Sequence, residues 1–216
     1  MKKQDIFMLF VTVVLVFLLV FPATSAPFFD FTDRFAVVGG FVKFFLFATF
    51  GDIVSHRIRF KHYRAPGLFY KAVVWGLIGI VIVFIFGIFS EGVAALQASG
   101  ILPFAGSAFA FAFFTSLFMN AIFAPTMMLF HRMTDHYIEG KIANDTHTFN
   151  KTIHAVDYHG FVTFVVFKTI PLFWIPAHTI TFLLPETYRV FFASLLGVVL
   201  GLILGLAKTR APKEVA

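Results

Sequence analysis

Residues 70–89 read YKAVVWGLIGIVIVFIFGIF. From Ala72 to Phe89 the run carries no Asp, Glu, Lys or Arg, and its apolar residues follow one another without period-two alternation. That pattern predicts a helix rather than a strand, and its length suits a hydrocarbon core that takes roughly 20 residues to cross. Five more runs of this kind follow once this one is recognised. The expected spans are 6–21, 35–54, 70–89, 105–130, 161–184 and 190–207, in one membrane domain covering 1–216. In lipid only helices and closed barrels satisfy their own backbones, so the predicted fold class is an all-α, polytopic transmembrane bundle.

The basic residues fix an orientation for this map. Of 17 Lys and Arg residues, 13 lie in the amino-terminal tail, the second and fourth gaps, and the carboxyl tail. Only Arg34 and Arg189 lie in the odd-numbered gaps, and Lys43 and Lys168 lie inside apolar runs. The positive-inside rule then puts both termini in the cytoplasm, with six crossings between them.

Composition agrees with this class. The chain is 59% hydrophobic and 13% charged, whereas an average soluble domain is about a quarter charged. A formal charge of +6 would suit nucleic acid, but the basic residues hug the ends of apolar runs, where they serve the anionic leaflet instead. The expected partner is therefore the lipid bilayer, not nucleic acid. There is no cysteine, which excludes disulfides, thiolate metal sites and thiol nucleophiles. Phenylalanine is abundant at 34 residues and reads as a replacement for leucine on lipid-facing surfaces. The first run resembles a secretory signal, with two lysines, an apolar centre and Ala23-Thr24-Ser25-Ala26. Pro27 next to that site argues for an uncleaved anchor.

Small residues mark expected packing faces. Ala193, Gly197, Gly201 and Gly205 recur every four residues in span six, a ridge suited to a partner helix in the same chain or in a second copy. Span four offers Ala108, Ala112, Ser116, Asn120 and Ala124; span three offers Ala72, Gly76, Gly79, Val83 and Gly87.

Ionisable and amide groups at depth are the candidate functional residues. A lysine at mid-bilayer costs about 2.5–3.5 kcal/mol, so Lys43 needs a partner from another span or a wet cavity. Lys43, Asp52, Asn120, Lys168 and His178 are the expected polar interior. Asn120 is the one amide deep in a span. Lys168 and His178 share span five with Pro171 and Pro176, which predict a broken helix there. Two lysines would favour small anions. A weaker alternative is a metal-dependent membrane enzyme built on His131, Asp135, His136, His154, Asp157 and His159, although no strong ligand motif appears. A structural or assembly role through the glycine ridges is a third reading. No cofactor is expected.

Gly51-Asp52-Ile53-Val54-Ser55, Ala124-Pro125 followed by Phe130-His131 and Asp135, and Trp174 with Pro176, Phe182, Pro185 and Tyr188-Arg189 form a further pattern. It resembles the Mpv-seventeen / peroxisomal membrane protein family. The resemblance covers about half the chain, through Gly51, Asp52, Pro125, Asp135, Trp174, Pro185 and Arg189. It departs in the long Gly51–Pro125 spacing, the short Asp135–Trp174 segment and the glycine-rich last helix. It implies a compact helical bundle with channel-like permeability or a role in membrane homeostasis. The expected location is a bacterial inner membrane.

Overall fold

The structure is a computed structural model that describes residues 3–144 and 146–210; the side chains of 3, 4, 59, 201, 202 and 204–210 are outside it. The described chain is all helical. In order, α1 is Lys3–Val20, α2 is Pro22–Arg34, and α3 is 36–60. The fourth helix, α4, is Leu68–Ala98, followed by α5 at Ala108–Ile122, α6 at Ala124–Ala143 and α7 at Phe149–Ala155. The last two are α8 at Tyr158–Leu183 and α9 at Glu186–Arg210.

Three helical stretches are long and apolar enough to cross a bilayer: Ala36–Ile58 in α3, all of α4 and all of α8. Two bent pairs, Asp5–Val20 with α2 and α5 with α6, raise the number to five among the described residues. The sixth expected run, 190–207, falls in α9, where Gly201 and Gly205 lie outside the described side chains. These are the helices of a membrane-embedded protein. Large apolar side chains face outward along α1 and α8, with Phe167 and Leu172 at 70% and 78% exposure, a surface that suits lipid.

Several expected boundaries are corrected. The run 105–130 is not one helix: α5 and α6 meet at a 48° bend. Pro125 stands in the first turn of α6, where its missing N–H costs nothing. Segment 22–34, expected as a connection, is helical, with Pro22 in its first turn and a 76° bend from α1. Span five is not broken. Its residues Phe161–Trp174 are wound as a π-helix that carries Pro171 inside it, and Pro176 opens the α-helical remainder. A shorter π-helical turn, Phe44–Ala48, lies in α3. Threonine and serine hydroxyls bond two carbonyls near these prolines. Thr169 Oγ1 donates to Phe164 O at 3.1 Å, and Ser116 and Thr179 donate to Ile175 O at 2.7 and 2.8 Å.

Ordinary capping explains the short elements. Ser107 caps α5 by accepting from Ala110 N, and Thr148 caps α7 by accepting from Lys151 N. Gly67 precedes α4 at φ +68°, a left-handed backbone that glycine adopts without cost.

The core joins α3, α4, α5, α8 and α9 around Phe44, Ile82, Phe86, Met119, Phe182 and Ala193. Close helix approach takes the place of hydrophobic drive, which lipid does not supply between helices. Gly40 of α3 and Gly79 of α4 face each other at a crossing with no side chain between them: a Cβ on Gly40 would lie 2.6 Å from the Gly79 carbonyl oxygen. Gly76 receives the ring of Phe41, and Gly51 receives Val198 of α9. Gly87 and Gly197, expected on packing ridges, have no atom within 4 Å of a built Cβ. Of the span-four ridge, Ala112, Ser116 and Asn120 are fully buried and face α8, whereas Ala108 is exposed.

Polar contacts bring distant segments together at the bundle's ends. Arg57 Nη2 donates to Asp5 Oδ1 at 3.1 Å and the Tyr63 hydroxyl donates to the same oxygen at 3.0 Å. Partial desolvation, followed by that bond to Asp5, raises the Tyr63 phenol above its usual pKa. Lys71, at the start of α4, reaches Glu139 of α6 at 2.5 Å. Asp33, Glu91 and Glu186 line one cavity, described next, together with Lys43.

Candidate functional site

Three cavities among the described residues carry polar or charged walls. The first, of about 410 Å³, is walled by Asp33, Lys43, Phe86, Glu91, Glu186 and Arg189, among others. Lys43 is only 3% exposed and its Nζ lies 3.7 Å from Asp33 Oδ1 and 5.7 Å above the Phe29 ring. The ammonium thus finds its partner on a different element, α2, as its position in an apolar run requires. Arg189 turns back on its own helix start, donating to Leu184 O at 3.0 Å and lying over Phe182. Pro185 stands in the link between α8 and α9.

The second cavity, of about 230 Å³, sits deeper. Asp52, Trp75, Trp174 and His178 line it with Phe44 and Phe161. Trp75 Nε1 donates to Asp52 Oδ2 at 2.6 Å, and the His131 ring lies tilted against Trp75 with centroids 4.2 Å apart. An indole N–H buried in a core needs such an acceptor. At the far wall, His178 Nδ1 lies 3.2–3.3 Å from the side-chain amide of Asn120, which also donates to Ser116 O at 2.8 Å. Trp174 stacks on His178 at 5.4 Å. Asn120 and His178 are therefore a hydrogen-bonded pair joining α5 to α8, of a kind worth about 0.6 kcal/mol on average between membrane helices.

The third cavity, of about 450 Å³, shares Asp52, His131 and Arg132 with the second. Its mouth carries Lys71, Asp135, His136 and Glu139. His131 Nε2 lies 3.8 Å from Asp135 Oδ2, and Lys71 Nζ lies 3.9 Å from Asp135 Oδ1, too long for a hydrogen bond. That carboxylate oxygen is buried without a hydrogen-bond partner among the described residues.

Four of the five residues expected in a polar interior thus line a cavity or bond to one that does. Lys168 does not: it is exposed on α8 and lines none of these three cavities. Lys43 lies in the first cavity, away from the other two. The six residues of the metal reading are not gathered. His154, Asp157 and His159 are exposed, and among the described residues no group of three or more His, Asp or Glu could hold a metal. Asp157 instead caps a turn through Gly160 N at 2.8 Å. Sequence reasoning missed Trp75 and Lys71. Both belong to α4, one helical turn apart, and the indole N–H of Trp75 was the signal that a buried acceptor had to be near.

Gly51 and Asp52 adjoin the α3–α9 contact and the second cavity, Pro125 begins α6, and Asp135 and Trp174 reach the third and second cavities. Comparison with family models, with curated proteins and with solved structures gives no match for this chain.

Proposed function

We propose that the chain is a multi-pass membrane protein that passes small solutes through its bundle. The reading is carried by the two cavities that share Asp52, His131 and Arg132, one with a charged mouth, the other ending at the buried Asn120–His178 pair. Phe86 stands between that pair and the first cavity, with its ring edge-on to His178 at 6.1 Å. Polar groups at membrane depth mark solute paths, and an apolar constriction is a way to gate one. The anion preference expected from two lysines is not kept, because Lys43 and Lys168 share no cavity. The resemblance to the Mpv-seventeen / peroxisomal membrane protein family belongs to the same proposal, supported by the nearness of Gly51, Asp52, Asp135 and Trp174 to the two cavities.

Purified protein reconstituted in liposomes is expected to raise permeability to small solutes several-fold over empty vesicles. Stopped-flow light scattering would read this, and equal rates would remove the proposal.

Six spans in a bacterial inner membrane, with both termini in the cytoplasm, complete the reading. Charge alternation supports it. So do the Asp5–Arg57 and Lys71–Glu139 contacts, which join the amino-terminal, second and fourth segments, while acidic residues of the first, third and fifth line one cavity. Reporter fusions after Arg64 and at His147 are expected on the same face; opposite faces would break this topology.

A further inference from the structure

The chain has two tryptophans, and both line the same 230 Å³ cavity. Phe44 and Phe161 add two more aromatic walls. The faces of such rings are negative and attract cations, with tryptophan the strongest. One carboxyl group stands among them. Asp52 accepts from Trp75 Nε1 and has no ion pair among the described residues.

Arg132 lines the same cavity, and both nearby cations have partners other than Asp52. Arg132 Nη1 donates to Asp157 O at 3.1 Å, with its guanidinium over Phe161 at 5.6 Å. Lys71 is held by Glu139 at 2.5 Å and faces Asp135. The second and third cavities together show three carboxylates, Asp52, Asp135 and Glu139, against two cations, Lys71 and Arg132. This acidic lining contrasts with the chain's net charge of +6. A strongly hydrated ion gains little from aromatic walls. An alkylated ammonium keeps a positive charge and presents apolar surface. The volume lies below the roughly 300–1,000 Å³ typical of drug-sized ligands, so the occupant is small.

We propose that this cavity binds a small organic cation, a methylated or alkylated ammonium, with Asp52 as counter-charge and Trp75 and Trp174 as aromatic walls. This deepens the solute-passage reading and rests on it for its biological sense, but its test does not depend on transport.

Because both indoles face the cavity, intrinsic tryptophan emission of the whole protein in detergent reports on it. Titration with tetramethylammonium chloride is expected to give a saturable change that equal concentrations of sodium chloride or sodium acetate do not give. Asp52→Asn retains an acceptor for Trp75 and removes the charge. It is expected to move the midpoint about ten- to a hundredfold higher. Gly197→Leu supplies an independent check. It lines the cavity with open space around its Cβ, so leucine there fills the cavity without displacing a neighbour. That variant is expected to keep its far-ultraviolet circular dichroism and lose the titration. A response that never saturates, equal midpoints in wild type and Asp52→Asn, undiminished binding in Gly197→Leu, or saturation by acetate instead would each overturn the proposal. Saturable binding without liposome permeability keeps this site and removes solute passage. Permeability without saturable binding does the reverse.

Discussion

Gly79→Leu is expected to destabilise the bundle by about 3 kcal/mol or more, at or above the upper end of what overpacking costs. The reason is the nature of the obstacle. A Cβ at Gly79 would run into the backbone carbonyl of Gly40 and lie 2.8 Å from the Phe44 Cβ. No rotamer moves a carbonyl, so α3 and α4 must separate. Separation is costly here because packing, not apolar burial, holds helices together in lipid. A loss of this size is a large share of a marginal total of about 5–15 kcal/mol. Gly87→Leu on the same helix is the control, since nothing lies within 4 Å of its Cβ. Thermal or denaturant unfolding in detergent should separate the two variants clearly. If both unfold with wild type, the crossing is not what secures α3 to α4.

Asp33→Asn and Lys43→Met are expected to act in opposite directions, although both break the same ion pair. Removing the carboxylate leaves an ammonium at 3% exposure, 5.7 Å from the Phe29 ring. An orphaned buried charge costs about 3–5 kcal/mol, but Asp33 is 41% exposed and Glu91 and Glu186 line the same cavity. A loss of about 1–3 kcal/mol is therefore expected. Lys43→Met removes the charge itself and keeps much of the stem's volume. It should be neutral or stabilising, because an ion pair rarely repays its desolvation against a good apolar replacement. The double variant should return close to wild type. Equal destabilisation by both single changes would mean that Lys43 serves the fold through contacts other than its charge.

The fold was legible where one signal dominated. The apolar run 70–89 announced α4, but the helix runs on to Ala98 because Ser90 and Glu91 do not stop it. Segment 22–34 was misread because two prolines and its polar residues look like a linker, while Phe28 and Phe29 in fact pack on Phe47, Tyr188 and Phe191. Pro125 carried the bend between α5 and α6 in plain view. The π winding of α8 was not readable, since prolines announce lost hydrogen bonds and not how a chain makes them good. Gly40 went unnoticed because a glycine pair in an apolar run gives no hint of its partner 39 residues on. In the candidate site, Asn120 was legible as a lone deep amide, and His178 from its run, but their pairing needed the α5–α8 contact. Lys71 looked like a flanking charge and proved 8% exposed. Lys168 shows the converse: its place in an apolar run says nothing about which side of the helix it occupies.

Winding Phe161–Trp174 with one extra residue per hydrogen-bonded ring leaves slack in α8. Deleting one residue from that stretch can be taken up by tightening it toward an ordinary helix, leaving the segments on either side facing as before. The same deletion in α4 would swing everything beyond it by about 100° and turn residues such as Phe86 out of the core they pack in. Length variation among natural versions of this chain should therefore gather in α8 and spare α4.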